Sequence, residues 1–142
     1  MEEVKQEAMQ KVVLFEDEFM TVWYDPQHKF IQHVVHKPVE GWPLRNALLA
    51  GSEALKKYGA TKWLSDDRLN GPITDADREW GVENWNIPTI NAGWKYWALV
   101  VPTAVVAAGS MVPVMSHWYE LGLRMMVFDN LEKAIEWLDS ME

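Results

Sequence analysis

The chain has 142 residues, a single-domain length, and its 49% apolar content with nine Trp excludes a disordered polypeptide. A formal net charge of −8 argues against a nucleic-acid partner, whose phosphates would be repelled, and the lack of Cys removes disulfides and thiolate chemistry. The opening MEEVKQEAMQ has neither the basic start nor the apolar core of a secretory signal, so the cytoplasm is the expected compartment.

Residues 1–10 read as a lead-in, and 11–142 as one domain. Lys11–Glu16 and Phe19–Asp25 are β-branched and aromatic runs parted by Asp17-Glu18, the pattern of a hairpin. After a turn at Asp25-Pro26-Gln27-His28, Lys29–His36 is a third strand, and its mixed polarity on both faces predicts a place near a sheet edge. Pro43 opens a helix that Gly59 closes, with Leu44, Ala47, Leu48, Gly51, Leu55 and Tyr58 on one stripe. Gly51 within that stripe predicts a close approach of helix to sheet.

Thr61–Asp66 is a strand, and Asp67–Ile73 a loop. Thr74 is the N-cap of a helix from Asp75 to about Asn86, with acids in its first turn. From Tyr96 to Ser116 no residue is charged. Pro102, Gly109-Ser110 and Pro113 break this run, so a membrane-spanning helix of roughly 20 residues does not fit. It divides into a buried strand (Tyr96–Val101), a connector (Pro102–Gly109) and a helix over about 110–121. Arg124–Phe128 is the last strand. Asp129, with Glu132 three residues on, has the capping-box pattern for a final helix whose inward stripe is Leu131, Ala134, Ile135 and Leu138.

The order βββαβαβαβα predicts an α/β fold: a mixed, mostly parallel sheet of five to six strands with helices on both sides. That order, with Lys62–Arg68 (KWLSDDR), Ala92–Ala98 (AGWKYWA) and Val127–Leu138 (VFDNLEKAIEWL), resembles small bacterial proteins of SpoIIAA-like, STAS-type fold, over roughly residues 11–140. The resemblance implies fold more than function. Better-known STAS domains bind a protein kinase and are switched by phosphorylation of a Ser at a helix start. The matching element here, Asp66–Asp77, lacks their Asp-Leu-Ser-Gly signature and offers Thr74 as its helix-start hydroxyl.

Asp66, Asp67 and Asp129 belong near the C-terminal ends of parallel strands, where open α/β sheets bind ligands. Asp67 is expected to pair with Arg68. His33 and His36, three apart on a strand, face opposite ways and form no shared ligand set. His117 is expected to be partly buried and hydrogen-bonded. No Gly-rich phosphate loop, nucleophile elbow or zinc helix is present, so no catalytic residue, cofactor or metal site is assigned.

The leading expectation is a non-enzymatic interaction module. Residues 103–121 carry more apolar side chains than one helix stripe can bury. Val105, Val106, Met111, Met115 and Tyr119 are therefore interface candidates, for a homodimer or another protein partner. A first alternative is a carrier of an apolar small molecule or lipid, its pocket lined by Trp80, Trp85, Trp94, Trp97 and Trp118. A second is an enzyme using the Asp66/Asp67/Arg68 loop.

Overall fold

The computed structural model of the chain describes residues 10–142, so the lead-in lies outside the described residues except for its last position. Three strands come first: β1 (Val12–Glu16), β2 (Met20–Asp25) and β3 (Phe30–Val35). Helix α1 (Trp42–Tyr58) leads to β4 (Lys62–Asp66), and α2 (Asp75–Gly81) runs through a π-helical turn (Val82–Asn86) into α3 (Ile87–Asn91). Then follow β5 (Tyr96–Val100), α4 (Thr103–Ala108), α5 (Val112–Glu120), β6 (Arg124–Phe128) and α6 (Leu131–Ser140). The strands lie side by side in chain order in one six-stranded sheet. β1–β3 are antiparallel, and β3–β6 are parallel.

Each parallel crossover steps the same way across the sheet, so right-handed connections place their helices on one face. That face holds the larger core, where Ile31, Trp63, Trp97 and Leu99 meet Leu44, Leu48, Leu55, Trp85 and Trp118. α6 turns back under the opposite face and covers Phe30, Leu64, Ala98 and Val100 with Ala134 and Leu138. Gly51 does mark the close approach of α1 to the sheet: a Cβ there would collide with the Trp63 ring, 2.8 Å from its Cζ2.

Four local expectations are corrected. β3 is not near an edge but lies between β2 and β4, with its polar Gln32 and His33 each only 3% exposed. The expected connector at 102–109 is a six-residue helix, α4, opened by Pro102 and closed by Gly109 at φ 65°. The helix from Asp75 does not stop near Asn86, because the π turn carries it on to Asn91 and places Trp85 and Asn86 in the interior. The cap of α6 is Asn130, not Asp129: Asn130 Oδ1 accepts the Lys133 N–H at 3.0 Å. Asn130→Ala should therefore lower stability by about 1 kcal/mol in urea unfolding, and Asp129→Ala should change it far less.

The uncharged run at 96–116 folds as strand, short helix and the start of a second helix. No helix among the described residues is long and apolar enough to cross a membrane.

Candidate functional site

Three regions of the molecule gather most of the expected site residues: the polar loops at the C-terminal ends of the parallel strands, the aromatic cluster of the larger core, and the α4–α5 surface. At the strand ends the polar groups are paired across long sequence separations. Trp63 Nε1 donates to His33 Nδ1 at 3.1 Å, and His33 Nε2 lies 2.7 Å from Asp67 Oδ1. Because Nδ1 must accept from the indole, the imidazole proton sits on Nε2 and is donated to Asp67. His33 thus has no lone pair left with which to take a proton from a substrate. The chain of bonds instead holds a carboxylate in place, and the Asp67 N–H fixes its backbone to the Val100 carbonyl at 2.9 Å.

Asp66, rather than Asp67, is the partner of Arg68. The guanidinium grips it twice, Nε to Oδ1 at 2.9 Å and Nη2 to Oδ2 at 2.7 Å. Neighbouring residues on an extended chain face opposite ways, so Asp67 points to His33 while Asp66 is left to Arg68. Ser65 lies beside His33 in the register, and its Oγ accepts from Trp97 Nε1 at 2.9 Å.

A third carboxylate closes the loops above α1. Asp77, 3% exposed, accepts the Gly41 N–H on Oδ2 and Arg45 Nε on Oδ1, both at 2.9 Å. Burial alone would raise its pKa, but the bonds from the Gly41 N–H, Arg45 and Thr74 outweigh it and hold the carboxyl below its usual range. Arg45 is flanked by the rings of Trp42 and Trp80, 5.4 and 5.3 Å from their centroids. Thr74 is the cap the sequence predicts, its Oγ1 accepting the Asp77 N–H at 3.1 Å. A phosphate on Thr74 would displace that bond and face the acids of the first turn.

The five Trp named as pocket candidates separate. Trp80 stays apart, edge-on to Trp42. Trp85, Trp94 and Trp97 pack on one another, and Trp85 and Trp94 also on Trp63, with centroids 5.1 to 5.6 Å apart, and Trp118 meets Trp97 at 6.5 Å. The Trp85 indole N–H within the cluster and the side-chain amide nitrogen of the adjacent Asn86, both buried, have no hydrogen-bond partner among the described residues.

The α4–α5 segment is where apolar surface is left over. No residue of α4 is buried. Val106 is 37%, Val112 54%, Tyr119 65% and Leu121 46% exposed. Of the interface candidates, Val106 and Tyr119 face outward, while Val105, Met111 and Met115 are half-buried against the core. His117, expected to be partly buried, is exposed with its ring 5.0 Å from that of Trp118.

Sequence reasoning did not single out Trp63, Ser65, Arg45, Trp42 or Asp77 as site residues. Their roles come from partners on other elements, and no local spacing signals them. Compared with family models, curated proteins and solved structures, the chain matches none.

Proposed function

We propose that this chain is a SpoIIAA-like domain that works by binding rather than catalysis, associating with a second copy of itself through the α4–α5 surface. The observation that carries this reading is that α4, built only from Thr, Ala and Val, buries none of its residues. From Pro102 to Tyr119 the surface carries no formal charge on a chain whose net charge is −8. Two copies can therefore approach there with little of the repulsion that the rest of the surface would impose. The closed polar pairs at the strand ends support the same reading, because they occupy one another's hydrogen-bonding groups.

Sedimentation velocity at micromolar concentration should show a dimer. Val106→Glu and Val112→Glu, at outward positions, should each raise the dimer Kd at least about tenfold while leaving the circular dichroism spectrum intact. Val105 and Met111 make poorer tests, since shortening them also opens the core. A wild-type protein that sediments as a monomer overturns the proposal.

A second reading, the apolar-ligand carrier, is favoured by the buried donors of Trp85 and Asn86 at the π turn. An acceptor-bearing apolar ligand would satisfy both. Native mass spectrometry separates the readings: a mass increment on the monomer supports the carrier, and a bare dimer supports self-association.

A further inference from the structure

The two edges of the sheet are not alike. β1 carries a register shift between Val13 and Phe15, the kind of bulge that spoils an edge for pairing. β6, at the other edge, pairs in unbroken register with β5 and has neither Pro nor Lys in its Arg-Met-Met-Val-Phe sequence. Its inner hydrogen bonds identify its outer ones. The Arg124 N–H donates to Lys95 O, and Phe128 O accepts from the Val101 N–H, so residues 124, 126 and 128 address β5. The backbone groups of Met125 and Val127 then face outward. Beside this edge lies an open groove of about 540 Å³ lined by Met115, Tyr119, Met126 and Trp137, with Glu120 and Arg124 also on its wall.

We infer that the second copy docks antiparallel along β6, joining two six-stranded sheets into one continuous sheet across a two-fold axis at Met126. This rests on the self-association reading and specifies its geometry. Centring the axis on Met126 overlaps all five residues of the strand. It sets Met125 opposite Val127 of the second copy, so that their outward N–H and C=O groups exchange hydrogen bonds in both directions. Met126 meets its own counterpart, and Arg124 lies opposite Phe128, so no like charges face each other along the paired strands. Met115 and Tyr119 of α5 belong both to the groove and to the uncharged surface described above, which makes the two continuous. A second copy is favoured over a foreign strand because the two-fold axis at Met126 would also bring the uncharged surface beside β6, which includes Met115 and Tyr119, against its own counterpart.

The chain contains no Cys, so single cysteines report the geometry without background. Met126 is 41% exposed and Val13, on the opposite edge, 59%. In the inferred dimer the Met126 Cα atoms form a non-hydrogen-bonded antiparallel pair, about 4.5 Å apart and within disulfide range. Met126→Cys should oxidise to a covalent dimer in high yield, and Val13→Cys should not. Met126→Lys, which places two ammonium groups face to face, should raise the dimer Kd at least about tenfold with the fold unchanged. A wild type that dimerises while Met126→Cys fails to cross-link and Met126→Lys dimerises normally overturns this geometry and leaves self-association standing. A monomeric wild type overturns both. A monomer that gains a β-strand peptide from another protein along β6 overturns self-pairing in favour of a foreign strand.

Discussion

Trp63→Ala should lower the free energy of unfolding by about 4 kcal/mol, a large share of the 5–15 kcal/mol that holds an ordinary domain together. Trp63 has no solvent exposure and contacts Trp85 and Trp94 at centroid distances of 5.2 and 5.5 Å. α1 is shaped to it through Gly51, which leaves no room for a Cβ over the ring. Removing the indole opens a cavity that the surrounding rings, themselves large and stiff, cannot fill. It also strips His33 Nδ1 of its donor at 3.1 Å, leaving a buried acceptor unsatisfied. Trp63→Phe keeps much of the ring volume but loses the N–H, so it should cost about half as much, and the difference separates packing from the hydrogen bond. Urea unfolding followed by far-ultraviolet circular dichroism measures both. A loss below about 1 kcal/mol for the alanine variant would mean that the cluster collapses around the gap, and the rigid packing argued here would be wrong.

Asp77→Ala should cost about 3 kcal/mol or more near neutral pH, by a different route. The carboxylate is buried and ties α2, which carries it, to the loop before α1 through the Gly41 N–H and to Arg45 on α1. Without it, a guanidinium only 18% exposed loses its counter-charge, and a backbone donor loses its acceptor. The pH dependence gives an independent signature. The folded-state pKa of Asp77 is depressed, so its stabilisation is fully present above the unfolded value of about 3.9. It is lost as pH falls from there through the lower folded value. Wild type and Asp77→Ala should therefore keep a constant gap in stability from pH 8 to about 5 and converge in acid below about pH 4. A gap that stays constant into strong acid would show that the carboxylate's charge is not what stabilises the loops.

The strand runs and the long helix were legible in the sequence because alternation and helical stripes are local, encoded within a few residues. Pro43 and Gly59 bracket α1 as their backbone preferences dictate, and Thr74 caps α2 by a bond spanning three residues. The candidate site was legible only in part. Val106 and Tyr119 lie on the outer surface, but Val105, Met111 and Met115 turn partly inward, and the sequence holds no sign of that split. A segment with apolar side chains on every side does not say which side the sheet will cover. His33 misled the placement of β3, since a polar residue on each face suggests exposure until its partners are known. Asn130 and Asp129 are both good caps, and only the folded backbone, extended at Asn130 with φ −138° and ψ 124°, selects between them.

By itself, then, the sequence determined the order of elements, the α/β class and the uncharged character of residues 102–116, because each follows from properties of neighbouring residues. The tertiary structure alone decided that Trp63, His33 and Asp67 form one chain of hydrogen bonds, and that Arg45 and Asp77 meet across 32 positions. It also decided that β6 is left, among the described residues, with an open, unbulged edge. Such pairings depend on strand order and register, which the packing of the whole sheet sets and no short segment encodes.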